Sequence, residues 1–278
     1  MPELPEVETI KNMVSKVLTD STIAKVEVRQ RKFREPVPEN FERIVSGAKV
    51  LNLRRIAKYM LIDLNNGYTI IWHFGMSGKF KIFETEPEIL DKHDHIVLIT
   101  DKGVLVYNDV RRFGLISYCE SDKIKQNHLL GKLGLDPWDK ELTAQYLINR
   151  LKDKKQAIKL CLLDQEIICG IGNIYASEIL YKARIRPDRA GNSISESEAK
   201  KIILYTRQIL EASIKAGGST IHDFKRPDGD TGYFQNQLCV YGRTGQRCPD
   251  CVCDLKNGGI KKSVMGGRST FYCEYLQK

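Results

Sequence analysis

The sequence predicts an α+β protein with three parts: an N-terminal antiparallel β-sandwich, a helical domain and a C-terminal β-hairpin. Apolar residues alternate with a period of two through residues 22–117 and recur at helical spacing through residues 131–216, whereas the rest of the chain is rich in glycine, lysine and cysteine. A length of 278 residues suits two or three domains. The expected domain boundaries are 1–130, 131–235 and 236–278.

The N-terminal part begins with a predicted amphipathic helix, because Val7, Ile10, Val14 and Val17 share one helical face. Short runs rich in β-branched and aromatic residues follow and predict strands at Ile23–Val28, Tyr59–Leu64, Tyr68–Phe74, His95–Thr100 and Val104–Tyr107. Turn sequences such as Asn65-Asn66-Gly67 join these runs without an intervening helix. Strands joined in this way indicate an antiparallel sandwich or barrel.

The next part of the chain contains three short predicted helices: Leu142–Lys152, Ala157–Leu163 and Asn173–Ala183. A longer helix is predicted to begin at Ser195, where Glu198 completes a capping box, and to end at Gly217-Gly218. The segment from 131 to 216 is therefore expected to be helical.

The charge balance favours a polyanionic partner. The chain has 44 Lys and Arg against 35 Asp and Glu, a net charge of +9, which suits nucleic acid above other partners. The alternative at this point is a basic protein without such a partner. The apolar runs are shorter than the roughly 20 residues that span a bilayer, and no signal peptide is recognisable, so a cytoplasmic protein without a membrane partner is expected.

The eight cysteines are unevenly distributed. Four are scattered and are typical of small buried apolar residues: Cys119, Cys161, Cys169 and Cys239. The other four, Cys248, Cys251, Cys253 and Cys273, crowd near the C-terminus. In a reducing compartment this cluster favours metal ligands over disulfides.

The N-terminus could itself be reactive as a nucleophile. Removal of Met1 would leave Pro2 with a free secondary amine, and a terminal amine has a pKa near 8, well below that of lysine. Such an amine can attack a sugar C1′ and form an iminium, while Glu3 and Glu6 can move protons nearby. The alternative reading is an ordinary helix start, where proline and acidic residues are common.

Several segments resemble the formamidopyrimidine-DNA glycosylase (Fpg/Nei) family in sequence and in order. They are Pro2–Thr9, Arg55–Tyr59, His73–Gly78, Lys92–His95, Asn108–Gly114, Gly170–Glu178, Asp230–Phe234 and Val240–Arg243. Gly170–Glu178 resembles the signature of the family's helix–two-turn–helix motif. The resemblance extends from residue 2 nearly to the C-terminus and implies excision of oxidised purines, 8-oxoguanine and formamidopyrimidines, from damaged double-stranded DNA.

The resemblance also implies four catalytic roles. Pro2 would be the nucleophile and Glu3 the acid that helps to open the sugar. Lys58 would donate a proton around the β-elimination step, and Arg268 would bind the phosphate and assist δ-elimination. For Lys58 or Arg268 taken alone, a solvated surface charge is the competing interpretation.

Two further groups would bind DNA if the resemblance holds. Met76, Arg111 and Phe113 match the residues that fill the gap left by an extruded nucleotide. The alternative is a packed Met and Phe beside a surface Arg. Phosphate contacts are implied for His93, Arg111, Lys154 and Asn173, and for the lysine-rich run around Lys154 a solvated helix face is the alternative.

The C-terminal finger departs from the family pattern of two Cys-x-x-Cys pairs. Cys248 and Cys251 form an intact pair, but Leu276 stands where the partner of Cys273 is expected, and leucine cannot bind a metal. Cys253, in an apparent insertion, is a possible replacement. Two hypotheses follow: one zinc ion is held by Cys248, Cys251, Cys253 and Cys273, or the hairpin is held by packing without zinc.

The function expected from the sequence is a bifunctional DNA glycosylase and AP lyase of base excision repair, a monomer in the bacterial cytoplasm and associated with the nucleoid through DNA. Two alternatives stay open. A Nei-type glycosylase would act on oxidised pyrimidines, although Met76, Arg111 and Phe113 argue against that branch. A non-catalytic damage-binding protein would bind abasic DNA without cleaving it, but its expected mark is the loss of a catalytic residue.

Overall fold

The computed structural model describes residues 1–219, 232–251 and 258–278. Asp230, Thr231 and Cys253 therefore lie outside the described residues. The chain divides into two compact units, one formed by Met1–Lys132 and Ile214–Gln235, the other by Leu133–Ser213 and Asn236–Lys278. The three-part division and its boundaries at 130 and 235 stay predictions.

Among its described residues, the first unit contains two four-stranded antiparallel sheets and two complete helices. In chain order its elements are α1 (Leu4–Leu18), β1 (Ile23–Val28), α2 (Phe41–Val45), β2 (Val50–Ile56), β3 (Tyr59–Leu64), β4 (Tyr68–His73), β5 (Lys79–Phe83), β6 (Asp94–Thr100), β7 (Gly103–Asn108) and β8 (Leu115–Glu120). A 3-10 turn at Ser121–Gln126 follows. One sheet has the order β1-β6-β7-β5 and the other β2-β3-β4-β8.

One hydrophobic core joins α1 to side chains from both sheets. Val7, Ile10, Val14 and Leu18 of α1 are fully buried in it, together with aromatic residues such as Trp72. Burying a large apolar side chain contributes about 1.5–3 kcal/mol, so this face of α1 is tied firmly to the unit. Val17 of the predicted helical face packs against the same core but is only partly buried, whereas Leu18 is fully buried in it.

The second unit is helical and carries a two-stranded hairpin. Its helices are α3 (Ala144–Leu151), α4 (Ile158–Leu163), α5 (Asn173–Ala183) and most of α6 (Glu196–Lys215), and its hairpin consists of β9 (Lys261–Met265) and β10 (Arg268–Tyr272). Short 3-10 turns lie at Gly191–Ser193 and at Phe234–Gln237, where the chain passes from one unit to the other. The α+β class, the antiparallel sheets, the helical region and the terminal hairpin are thus confirmed.

The hairpin packs on α5 through a small apolar cluster within the second unit. Tyr181 of α5, Val240, Ile260 and Phe271 are its buried members alongside two cysteines, and Leu276 is partly buried against it. Among the described residues, no helix combines the length and the apolar character that a membrane crossing requires.

Candidate functional site

The N-terminal segment is held in place by reciprocal hydrogen bonds at the start of α1. Glu3 is the N-cap residue, and its side chain accepts from the N–H of Glu6 while the Glu6 carboxylate accepts from the N–H of Glu3 (2.9 Å). Pro2 and both glutamates are buried. This capping box fixes the backbone next to Pro2.

Glu6 also receives a contact that the sequence did not predict. Its Oε1 accepts hydrogen bonds from the N–H (2.8 Å) and hydroxyl (3.0 Å) of Ser219. The partners are separated by 213 residues in sequence, and no local pattern marks them. Glu6 therefore links Ser219 to the first turn of α1, close to Pro2 in sequence.

Lys58 lies in the tight turn between β2 and β3. The side chain is 7% exposed, which excludes the solvated surface charge considered from the sequence. Ala57 beside it has a φ of 53°, a left-handed conformation that a non-glycine residue rarely adopts. Arg55 stabilises the turn by donating to the carbonyl of Ala57 (3.1 Å) and to the carboxylate of Glu8 on α1 (2.8 Å).

Glu8 stays ionised in this setting. Burial alone would raise the pKa of its carboxyl, but hydrogen bonds and charges from Lys11 and Arg55 lower the pKa overall. The turn that carries Lys58 is thus linked to α1 by a charged hydrogen bond on a half-buried side chain.

His73 stands at the end of β4, next to the loop that carries Met76. Burial, together with the charges of Lys58 and Arg34, lowers its pKa to about 4. The Nδ1 atom accepts a hydrogen bond from the N–H of Gly75 (3.0 Å). His73 is therefore neutral at neutral pH, and protonation would remove this acceptor.

We expect the free energy of unfolding to fall as the pH drops from about 6.5 to about 4. In this window the unfolded state takes up a proton at His73 and the folded state does not, so stability rises with pH across it. A His73→Gln variant, which cannot titrate, should show a flatter pH profile over the same window. Urea unfolding at several pH values measures the effect, and identical slopes for both proteins would contradict it.

Met76, Arg111 and Phe113 lie on two loops that meet closely. A side-chain carbon at Gly75 would come within 2.3 Å of the Phe113 backbone, so only glycine allows the approach. The Arg111 guanidinium lies over the Phe113 ring at 4.7 Å. Met76 is 40% and Phe113 46% exposed, which does not fit the packed Met and Phe of the alternative reading. We call these three residues the extrusion cluster, after the role that the family resemblance predicts for them.

His93 lies nearby in sequence, just before β6 of the same unit. Its ring is 6.0 Å from that of His95 in an edge-to-face arrangement, and the side chain is half-buried. Pro2, Glu3, Lys58, His93 and the extrusion cluster thus all belong to the first unit.

The second unit brings Asn173 close to the residue after Arg268. Asn173 begins α5, and its Nδ2 donates to the carbonyl of Ser269 (2.9 Å). Arg268 is exposed at the tip of the hairpin, immediately after Gly266-Gly267. A cavity of about 340 Å³ is lined by Gln156, Leu160, Leu163, Asp164, Gly266 and Arg268.

Two lysines near this cavity behave differently. Lys154 is half-buried and pairs with Asp164 at 3.4 Å, so it is not simply part of a solvated helix face. Lys159 is fully buried and donates to the carbonyl of Ser269 (2.9 Å) and the hydroxyl of Thr270 (2.7 Å). Sequence reasoning assigned Lys159 no role, yet it holds the strand that begins with Arg268.

Glu178 of α5 is a second positioning residue that the sequence did not reveal. Its buried carboxylate accepts from the backbone N–H groups of Cys239 (2.8 Å), Val240 (2.9 Å) and Tyr241 (2.8 Å). Burial raises its pKa, and these hydrogen bonds oppose the rise. Glu178 therefore anchors the chain that leads into the hairpin.

Three of the four predicted metal ligands meet in the second unit. The thiol sulfurs of Cys248, Cys251 and Cys273 lie within 4.8 Å of one another, and those of Cys251 and Cys273 are 3.7 Å apart. Zinc–sulfur bonds of about 2.3 Å in a tetrahedron place sulfurs at comparable separations. The donor set fits a thiophilic metal ion.

Tyr181 contributes to the same cluster. Its hydroxyl lies 3.1 Å from the Cys248 sulfur. Burial would raise the pKa of the Cys248 thiol, but hydrogen bonds, that of Tyr181 first among them, lower it overall. A thiol with a lowered pKa is a better metal ligand, since the thiolate is the binding form.

The chain matches two models of one protein family. The model described as the formamidopyrimidine-DNA glycosylase N-terminal domain matches residues 1–116, and that described as the formamidopyrimidine-DNA glycosylase H2TH domain matches residues 133–225. A formamidopyrimidine-DNA glycosylase of Novosphingobium aromaticivorans is 42% identical over 279 residues, and one of Rickettsia bellii is 40% identical. In both cases the match covers 100% of each chain.

Solved structures agree with the sequence relatives. A variant of the Lactococcus lactis Fpg in complex with Fapy-dG containing DNA has a TM-score of 0.90 at 30% identity, covering 100% of both chains. The MutM (Fpg) protein of Thermus thermophilus has a TM-score of 0.88 at 32% identity, covering 99% of this chain and 98% of that one. Since sequence and fold agree over the whole length, the chain belongs to the formamidopyrimidine-DNA glycosylase family and is a DNA glycosylase of DNA repair.

Proposed function

We propose that the protein removes oxidised purines from double-stranded DNA and then cleaves the strand as an AP lyase. The observation that carries this proposal is the exposure of the extrusion cluster. Two large apolar side chains and an arginine are exposed on loops that approach closely, an arrangement suited to entering a duplex and replacing an extruded nucleotide.

The chemistry begins at Pro2 once Met1 has been removed, because only then is the proline nitrogen an amine. The amine attacks C1′ of the lesion nucleotide, and the damaged base leaves with the electron pair of its bond and takes up the proton that the amine loses. Glu3 gives a proton to the ring oxygen as the C1′–O4′ bond breaks and the sugar opens. The product is an iminium between Pro2 and C1′. The buried capping box at Glu3 and Glu6 supports this role by fixing the backbone next to the nucleophile.

Strand cleavage follows from the iminium. Its positive charge acidifies the adjacent 2′ hydrogen, and loss of that proton expels the 3′ phosphate by β-elimination, with Lys58 as proton donor around this step. A second elimination expels the 5′ phosphate, and the exposed Arg268 guanidinium binds that phosphate through two hydrogen bonds. Water finally releases Pro2 and the sugar fragment.

Phosphate groups of the duplex are proposed to contact His93, Arg111, Lys154 and Asn173. Asn173 begins an 11-residue helix, and the positive end of a helix dipole suits an anion. The net charge of +9 supports a DNA partner, as do the L. lactis complexes with Fapy-dG and with an abasic site. One protein monomer per lesion is the expected stoichiometry.

We propose further that Cys248, Cys251 and Cys273 hold one zinc ion, with Cys253 as fourth ligand. The ion would hold the base of the hairpin together and leave Arg268 free at its tip. The alternative without zinc relies on the apolar cluster around Phe271 and Ile260 and on the Glu178 hydrogen bonds.

Zinc analysis after dialysis should give about one equivalent of zinc per chain. A Cys253→Ser variant should lose most of this zinc, because three thiolates bind it less tightly than four. Cys119→Ser is the matched control, since Cys119 is a half-buried free thiol of the first unit. A folded and active protein without metal would contradict the zinc proposal.

The function is tested by borohydride trapping on two duplexes. We expect a covalent adduct with an 8-oxoguanine:cytosine duplex and little with a dihydrothymine duplex. The pyrimidine arm matters because a related L. lactis Fpg is known in complex with an oxidised pyrimidine containing DNA. Trapping only on dihydrothymine would favour the Nei-type activity, and binding without any adduct would leave a damage-binding protein.

A further inference from the structure

The two loops of the extrusion cluster are joined by a buried network centred on Asp109. The Asp109 side chain is fully buried, and its Oδ1 accepts from the Ser77 hydroxyl at 2.6 Å. Its Oδ2 accepts from the N–H of Gly114 at 2.8 Å. Ser77 directly follows Met76, and Gly114 directly follows Phe113, so one carboxylate binds both loops next to their exposed side chains.

Ser77 extends the network to the third member of the cluster. Its oxygen accepts a hydrogen bond from the N–H of Arg111 at 3.1 Å while its proton goes to Asp109. The Asp109 carbonyl in turn accepts from the N–H of Arg112 at 3.3 Å, and His95 Nε2 lies 3.0 Å from the same oxygen. These hydrogen bonds fix the backbone of both loops that carry the cluster.

The space around Asp109 leaves little freedom for rearrangement. The Tyr107 hydroxyl lies 3.4 Å from Asp109 Oδ2, and a side-chain carbon at Gly114 would come within 2.1 Å of that hydroxyl. Arg112 has a φ of 55°, a left-handed conformation that costs energy for a non-glycine residue. The turn Asp109–Gly114 is held in this conformation by the buried network beneath it.

We propose that Ser77 and Asp109 are positioning residues for lesion extrusion, holding Met76, Arg111 and Phe113 together as one rigid wedge. This inference rests on the proposed function. A wedge that enters a duplex must replace stacking that costs a few kcal/mol per base step, and it does so only if its members arrive in a fixed arrangement. Neither Ser77 nor Asp109 needs to touch DNA for this effect.

A positioning role for Ser77 and Asp109 predicts different effects on a lesion duplex and on an abasic duplex. An intact lesion nucleotide must be extruded before Pro2 can reach C1′, whereas a preformed abasic site has no base to extrude. A defect in wedge positioning should therefore slow base release from the lesion duplex and spare trapping on the abasic duplex. A general loss of folding would reduce both.

The decisive variant is Ser77→Ala, which removes the donor to Asp109 and the acceptor for the Arg111 N–H. Single-turnover base release from an 8-oxoguanine:cytosine duplex should fall about tenfold or more, with trapping on an abasic duplex within about twofold of the parent. Ser77→Thr keeps the hydroxyl and should restore most of the rate. In Asp109→Asn the amide NH2 group would face either the Ser77 hydroxyl or the Gly114 N–H, both of which are hydrogen-bond donors. This variant should show the same selectivity between the two duplexes with a larger loss of base release.

Thr69→Val is the matched control for lost stability. Thr69 is fully buried in the same unit, and its hydroxyl donates to a carboxylate oxygen of Asp63 at 2.7 Å, so the variant removes a similar bond away from the cluster. The thermal midpoints of both variants show how much stability each has lost. A similar midpoint loss in Thr69→Val without a selective loss of lesion excision supports the positioning role.

The inference fails if Ser77→Ala excises the lesion as fast as the parent, or if it loses both substrates to the same extent. The proposed function fails in a different way, because then the parent protein itself does not release 8-oxoguanine from its duplex. The two failures are thus distinguished by the unmodified protein measured beside the variants.

Discussion

A Pro2→Gly variant should lose lesion-dependent strand cleavage by about a hundredfold or more. Glycine permits removal of Met1 and leaves a primary amine, but it lacks the ring that fixes the backbone torsion and the second alkyl group that keeps the iminium permanently charged. Borohydride trapping followed by mass analysis of the N-terminal peptide measures the loss. In the parent protein the adduct mass should lie on the peptide that begins with Pro2.

Pro5→Gly is the control for this variant. Pro5 occupies the first turn of α1 and is buried, so its replacement perturbs the same helix start without touching the proposed nucleophile. It should form adducts at nearly the parent rate. An adduct on a lysine peptide in the parent protein would show that Pro2 is not the nucleophile. Normal cleavage by Pro2→Gly would show that the reaction does not need the proline ring.

A Glu3→Gln variant should lose base release by about 10²–10⁴-fold, the usual contribution of a general acid or base. Glutamine keeps an oxygen that can accept the Glu6 N–H, so the capping box and the start of α1 should survive. The side chain loses its ability to supply a proton. Cleavage of a preformed abasic site should be affected far less, because the sugar of an abasic site is a hemiacetal that opens to the aldehyde without an added acid.

Glu8→Gln provides the comparison on the same helix. Its carboxylate is tied to Lys11 and Arg55, so this variant should lose some stability and retain base release. Single-turnover rates on lesion and abasic duplexes are the measurement. Equal losses in the Glu3 and Glu8 variants would mean that the effect arises from the helix rather than from acid catalysis.

Elements with local signals were predicted well from the sequence. The capping box of α6 is present, with the Ser195 N–H donating to Glu198 at 2.9 Å and the Glu198 N–H donating to the Ser195 hydroxyl at 3.3 Å. Helix α5 has the predicted bounds, Asn173–Ala183. Three strands were missed, namely β2, β5 and β8, because their charged residues or short length obscure the alternation that marks a half-buried strand.

The candidate site was predicted as far as single residues and no further. Family resemblance pointed to Pro2, Glu3, Lys58 and Arg268, but not to the groups that hold them. Glu6 meets Ser219 across 213 residues, Lys159 meets Thr270 across 111, and Glu178 meets Val240 across 62. Such contacts are set by tertiary folding, for which sequence periodicity carries no signal.

Glu178 anchors the chain that leads into the hairpin without using any cysteine side chain. One buried carboxylate fixes three consecutive peptide groups without help from any thiol, and the Phe271 cluster adds apolar contact on α5. The hairpin thus has an attachment to α5 that does not depend on the proposed zinc ion. A leucine at position 276 leaves this attachment intact, and its side chain is itself partly buried against the same apolar cluster.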